Sequence, residues 1–219
     1  MELHPLALSF QVALVATALS LVVGLPLAWI LARRALPGRD LITVLVLLPM
    51  VLPPTVLGYY LLLLIGRGGP VGQAAEALGL GRIVFTPTAA VIAAFVASVP
   101  FLVRAAQSGF ERVDPAFEEA ARTLGRGELS IWFTITIPLA WRGILAGVAL
   151  TFARAIGEFG ATVMVAGSIP GRTRTGSVAI YDAVQAGRMS EANLLAVLLT
   201  LTAAGTLYLL TRVGRAPGW

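Results

Sequence analysis

Cysteine and lysine are absent from the 219 residues, and histidine occurs once, as His4. Without cysteine there is no disulfide framework, no thiolate metal site and no cysteine nucleophile. Without lysine a phosphate-binding loop of the form GxxxxGK[ST] cannot be built, so the chain has no Walker site of its own with which to energise anything. Gly79-Leu80-Gly81 is then a pair of loop glycines rather than a phosphate cradle. His4 reads as a solvated residue beside the N-terminus. Charge is scarce too: 12% of residues are charged, against roughly 25% in a soluble domain. What remains is 58% hydrophobic, with a mean hydropathy of +0.87. Water is the wrong solvent for most of such a chain. The expected class is all-α, a polytopic membrane protein in a single domain, 1–219, with the lipid bilayer as its first partner.

A bilayer crossing needs about 20 mostly apolar residues. Five segments qualify: Leu6–Ala32, Leu41–Ile65, Ile83–Val103, Gly143–Val165 and Ala192–Thr211. The first lacks the basic leader of a cleavable signal and is too long for one. Its arginines, Arg33 and Arg34, follow the apolar run, so the positive-inside rule places that end in the cytoplasm. Five crossings then leave the N-terminus outside and the C-terminus inside. On this topology the cytoplasmic segments hold Arg33, Arg34, Arg39, Arg104, Arg112, Arg122, Arg126, Arg142, Arg212 and Arg215, and the external ones hold Arg67, Arg82, Arg172, Arg174 and Arg188. The net charge of +5 fits that asymmetry and calls for no nucleic acid. Arg212–Trp219 follow the last span, and no regulatory domain is expected in so short a tail.

The second span contains Pro49, Pro53 and Pro54. Proline removes a backbone donor and clashes with the preceding turn, so a kinked or broken helix is expected there. Such breaks line cavities, because exposed backbone at membrane depth is tolerated only where it is covered by protein or water.

A polar insert, about 108–140, separates the third and fourth spans and falls on the cytoplasmic side. Asp114-Pro115 reads as an N-cap and first helical residue. Phe117, Ala120, Ala121 and Leu124 follow at helical spacing and make one apolar stripe, with Glu118, Glu119 and Arg122 off it. Gly125 suits a left-handed stop. A second helix is expected from near Leu129, interrupted at Pro138. Ala120 and Ala121 would let another surface approach the backbone, and Glu118 and Glu119 would offer charge to a partner's arginines. Local chemistry alone equally allows a hairpin packed on its own bundle.

Arg154 and Glu158 are the charges deep in a span, each costly alone at about 2.5–3.5 kcal/mol for arginine at mid-bilayer. At i, i+4 they share a helical face. They read either as a neutralising pair that fixes packing or as a polar element of a pathway, with arginine meeting an anion or orienting a gate. Gly143 and Gly147 form a small-xxx-small pair fit for a subunit contact or for packing within the chain. The external loop Ser168–Ser177, with Arg172 and Arg174, could attract an anion or a binding protein, or simply be solvated. An intramembrane enzyme would need a reactive set in the spans, and these hold neither histidine nor aspartate.

Glu119-Ala120-Ala121, then Gly125 and Ile135-Thr136-Ile137-Pro138, resembles the EAA loop of bacterial ABC-importer permeases. Ile137 stands where many relatives have leucine, a conservative departure. Leu52-Pro53-Pro54-Thr55-Val56-Leu57-Gly58-Tyr59-Tyr60 with Gly66-Arg67-Gly68-Gly69-Pro70 resembles the molybdate branch of that family. Phe152-Ala153-Arg154-Ala155-Ile156-Gly157-Glu158-Phe159-Gly160-Ala161-Thr162 is similar to the fourth span of molybdate and sulfate permeases, and Pro170-Gly171-Arg172-Thr173-Arg174-Thr175 with Ala179-Ile180-Tyr181 again resembles the molybdate branch. The likeness covers about residues 41–182. It implies a permease subunit of the bacterial or archaeal cytoplasmic membrane, importing molybdate, with tungstate or sulfate as alternatives. Its implied partners are a second copy of itself, ABC ATPase subunits and an extracytoplasmic solute-binding protein. Sulfate relatives generally pair two different permease chains, so a homodimer speaks against sulfate. ATP and magnesium would belong to the ATPase, and this chain would carry no cofactor or metal. Glu118, Glu119, Ala120, Ala121, Gly125, Ile135 and Pro138 would couple to the ATPase. Arg154, Glu158, Pro53 and Pro54 are the pathway or gate candidates. A passive channel would not need the EAA loop.

Overall fold

The computed structural model describes residues 4–34 and 37–214, and among them the regular elements are all helical. Arg215 and the end of the tail, counted above among the cytoplasmic residues, lie outside the described residues. In chain order the helices are α1 (His4–Arg33), α2 (Arg39–Val51), α3 (Pro54–Ile65), α4 (Pro70–Ala77), α5 (Pro87–Glu111), α6 (Pro115–Thr123), α7 (Glu128–Ile131), a π-helical turn (Trp132–Thr136), α8 (Ile137–Ile156), α9 (Gly160–Ala166), α10 (Gly176–Gln185) and α11 (Met189–Gly214).

The centre is α5, which packs along α1 on one side and α8 on the other. Its buried face is a ridge of alanines, Ala89, Ala90, Ala93, Ala94 and Ala97. Lipid tails are as apolar as leucine, so helices in a membrane associate by close packing, which small residues permit. Glycine carries this furthest at the other end of α5. A Cβ on Gly143 of α8 would stand 2.6 Å from the Gly109 Cα, and one on Gly147 would stand 2.9 Å from Leu102 Cδ1. The Gly143–Gly147 pair is thus spent on packing inside the chain. The buried hydroxyls of Thr17 and Ser20 donate to carbonyls one turn back in α1, at 2.7 and 2.8 Å, so neither is left bare in an apolar layer.

Two apolar clusters fix the direction of each helix. Leu8, Val12 and Ala16 of α1 meet Ala89 and Ala93 of α5 in the first. Ala28 and Leu31 of α1 meet Ala106 and Phe110 in the second. Helices α1 and α5 are therefore parallel, and the chain between them must make one net return across the layer. That return is the proline-containing segment, broken rather than kinked: α2 and α3 meet at 115°. Leu52 and Pro53 both precede a proline, which disfavours the helical region for each, and both are extended with ψ 137. Half α2 lies by the second cluster, where Arg39 reaches Glu111 at 3.4 Å. Half α3 lies in the first cluster against α9.

Among the described residues four single helical runs are long and apolar enough to cross a membrane, and counting the bent pair as one span gives up to five. Two expected boundaries change. The third crossing runs on to Glu111, so the polar connection is short, Arg112–Gly127. The fourth is not one helix from Gly143 to Val165. It begins at Glu128, ends at Ile156 and restarts as α9, because Gly157, Glu158 and Phe159 leave helical geometry.

Candidate functional site

The polar connection folds as the sequence chemistry directs. The Asp114 carboxylate accepts the Ala116 N–H at 2.9 Å, Pro115 opens α6, and Gly125 closes it at φ +80°. The apolar stripe divides. Ala121 is buried, whereas Phe117 is 56% and Leu124 83% exposed, with Ala120 and Glu119 exposed beside them. Leu129 and Phe133 of the next helix are exposed as well. Phe117 and Leu124 on the polar connection, with Leu129 and Phe133 at the start of the following helix, are large apolar side chains left exposed together, as at a contact surface. Ile135 is half-buried and Pro138 exposed. The expected interruption at Pro138 is instead a continuous helix with one widened turn. Pro138 has no N–H to give to Thr134, and the π turn at Trp132–Thr136, closed by Ile137 N–H to the Trp132 carbonyl, makes room for its ring.

Glu118 does the opposite of what the sequence suggests. It points inward, its side chain 7% exposed, into three partners. Arg33 at the end of α1 stands 3.3 Å from Oε1, the Thr136 hydroxyl donates to Oε1 at 2.9 Å, and Arg122 lies 3.7 Å from Oε2. Arg33 also donates to the Val113 carbonyl at 2.7 Å. One buried carboxylate thus joins α1, α6 and the π turn. The helix period placed Glu118 off the apolar stripe, which is correct, but that side of α6 faces the bundle and not a partner. Arg122 grips Glu128 through Nε–Oε1 at 2.6 Å and Nη2–Oε2 at 3.1 Å, clamping the turn through Gly125–Gly127. The hydrogen bond to Glu128 raises the pKa of this guanidinium above its ordinary value, so the clamp stays charged. These residues, with Trp29, Arg34 and Pro115, line an open cleft of about 650 Å³, where the Arg34 guanidinium stacks 5.7 Å from the Trp29 ring centroid.

Arg154 and Glu158 pair at 2.6 Å. Glu158 is not on the face of α8 as expected. It sits in the break after that helix, where its Oε1 also accepts the Ala161 N–H at 2.8 Å. The pair thereby splices α8 to α9. Pro54 lies against the start of α9, where a Cβ on Gly160 would fall 2.6 Å from the Pro54 Cβ, so the two broken crossings meet at their breaks. The loop after α9 is tied down rather than loose: Arg174 Nε donates to Ser168 Oγ at 3.0 Å and lies 3.2 Å from Asp182. Arg172 alone of its two arginines remains exposed.

Over residues 24–214 the chain matches the binding-protein-dependent transport system inner membrane components. It belongs to this family. The molybdenum transport system permease protein ModB of Azotobacter vinelandii is 43% identical over 195 residues, 89% of this chain and 86% of that protein. ModB of Escherichia coli K12 is 44% identical over 185 residues, 84% and 80% of the two chains. A sulfate transport system permease protein CysW of Synechocystis is 38% identical over 204 residues, 93% and 74%. The fold is shared with the inward-facing MetNI methionine ABC transporter, at TM-score 0.73 and 18% identity over 97% of this chain and 94% of that one. A bacterial alginate ABC importer gives TM-score 0.71 at 16% identity, covering 97% and 80%.

As an inner membrane component of such a system, the chain is a multi-span transporter subunit and not an enzyme. In that light α6 is the element of interest, and two of the residues that hold it were missed from sequence. Arg33 served only to orient the first span, and Thr136 only as part of a motif. Neither carries a local signal, because their partner is brought to them by the tertiary fold.

Proposed function

We propose that the chain, as a single permease domain, forms half of the translocation pathway of an ATP-driven molybdate importer. Two copies form a homodimer. Two ATPase subunits dock on the cytoplasmic face, and a solute-binding protein delivers the anion outside. The N-terminus is external and the C-terminus cytoplasmic. ATP and magnesium are held by the ATPase. The observation that carries this is α6: a short capped helix that presents Phe117, Ala120 and Leu124 outward while its other face is tied into the bundle. Glu119, exposed and without an ion pair among the described residues, supplies charge at the rim of the same surface.

Closure of the ATPase dimer pulls on α6, and the crossings rearrange by alternating access. The two breaks, at Leu52–Pro53 and at Gly157–Phe159, are the points in the layer where the backbone leaves helical geometry. They support Pro53, Pro54, Arg154 and Glu158 as parts of the pathway wall, with the ion pair keeping the wall's shape. A free arginine would hold a dianion rather than release it; Arg154 is neutralised by Glu158, which suits passage.

Molybdate is favoured by the likeness to the two ModB proteins, and sulfate is the second reading, favoured by the likeness to CysW. The test is uptake into liposomes holding this chain, its ATPase and the binding protein, with labelled molybdate and unlabelled tungstate or sulfate as competitor. ATP-dependent uptake that resists excess sulfate supports a molybdate importer; tungstate, of nearly the same size and charge, competes. Sulfate uptake with sulfate-sensitive molybdate entry contradicts it.

A further inference from the structure

Arg33 stands at the last residue of α1, and both of its engaged contacts lie on the connection that carries α6: the Val113 carbonyl before the helix and Glu118 inside it. Glu118 is held a second time by Thr136, in the π turn that leads into α8. The coupling helix therefore reaches the membrane bundle by two routes that converge on one carboxylate. Its covalent connections are a short turn at each end, residues 112–114 before it and 124–127 after it, and the second carries Gly125 and Gly127, which leave the backbone easy to bend. Without the tie, a pull on α6 would be spent in flexing those turns. With it, the pull reaches the ends of α1 and α8 at once, and both pack along α5.

We propose that Arg33 is a positioning residue of energy coupling: through Glu118 it locks α6 to the end of α1 and to the π turn, so that the three move as one rigid body throughout the transport cycle. The tie stays closed because opening it leaves the buried carboxylate with only the part-exposed Arg122, 3.7 Å from Oε2, as counter-charge, which costs more than bending a surface turn. The exposed Arg122–Glu128 clamp, by contrast, can open and close in water at little cost. This assignment rests on the coupling role of α6 proposed above.

The test uses the full chain reconstituted with its ATPase and loaded binding protein, reading ATPase association, ATP hydrolysis and anion uptake together. Arg33→Gln is expected to associate and to leave basal hydrolysis in place, while anion taken up per ATP falls by about ten-fold. Both contacts are made from Nη2, so Arg33→Lys, which keeps the charge on a shorter, differently shaped head, is expected to recover part of the loss. Arg33→Gln with wild-type uptake per ATP overturns the proposal. If Arg33→Gln fails to assemble, Thr136→Val decides, because it removes one hydrogen bond from Glu118 and leaves the ion pair: a smaller loss of the same ratio supports the tie, and an unchanged ratio overturns it. Rigidity is read separately. The chain has no cysteine, so spin labels at Arg34→Cys and Ala116→Cys, with labelled chain diluted into excess unlabelled chain, report the distance within one copy. That distance is expected to stay fixed between nucleotide-free and ATP-bound complexes, and a shift overturns the rigid body. Wild-type chain that binds no ATPase is a different failure: it removes the coupling role of α6 itself.

Discussion

Arg154 and Glu158 bridge the break between α8 and α9 at 2.6 Å, and Glu158 at the same time accepts the Ala161 N–H. Its side chain is 2% exposed, that of Arg154 29%. Arg154→Gln therefore leaves a buried carboxylate without its counter-charge, and the permease is expected to lose stability toward the lower end of about 3–5 kcal/mol, since the arginine is partly solvated. Glu158→Gln keeps an acceptor for Ala161 and removes the charge, so it is expected to cost less. Thermal unfolding of the purified variants ranks the two; an Arg154→Gln protein as stable as wild type, with full uptake, removes both the structural and the gating role.

The contact of Gly109 with Gly143 sets how closely α5 and α8 approach. Gly143→Ala puts a methyl 2.6 Å from a backbone atom that cannot rotate away. The expected cost is about 1–3 kcal/mol, as for other overpacked contacts. Gly205 in α11 has nothing within 4 Å of a built Cβ, and Gly205→Ala is expected to be neutral or slightly stabilising, since alanine suits a helix interior better. Equal effects of the two substitutions on melting temperature would show that the helix spacing is not set at Gly143.

The outward face of α6 gives a prediction that separates folding from docking. Leu124→Ser and Phe117→Ser alter side chains that are mostly in solvent, so the isolated permease is expected to keep its stability within about 0.5 kcal/mol. Association with the ATPase is expected to weaken by about 2 kcal/mol for an anchoring side chain. Co-purification and titration of ATPase into permease measure it. Unaltered binding by the double variant means that another surface docks.

Asp114→Ala tests the helix start. It removes the acceptor for Ala116 N–H, and a lost N-cap costs about 0.5–2 kcal/mol. The connection is exposed, so the expected sign is local: faster amide exchange in α6 with little change in global melting. Exchange in α6 equal to wild type contradicts the cap.

What the sequence discloses is what is local or periodic. Apolar runs mark the crossings, adjacent prolines mark the break at Leu52–Pro53, and Asp114-Pro115 and Gly125 bound α6, because each of these rests on neighbours in the chain. The ends of the fourth crossing were misjudged for the converse reason. Hydropathy is blind to whether an apolar run is one helix, and the contact of α9 with α3 is made far away in the chain. Glu118 was placed correctly on its helix and wrongly in the molecule, since an acid's burial is decided by Arg33 and Thr136, which only the tertiary fold delivers. The same holds for Gly143 and Gly147, whose spacing suits any close contact and cannot say with what.

The central claim is that α6 couples this permease to an ATPase, and ATP hydrolysis in liposomes tests it most directly. With wild-type chain, ATPase and binding protein loaded with molybdate, hydrolysis is expected to rise above the level seen with empty binding protein, and Glu119→Arg is expected to abolish that rise. Failure of the permease to associate with the ATPase, or stimulation that survives Glu119→Arg together with Leu124→Ser, would contradict the account and leave α6 an ordinary cytoplasmic turn.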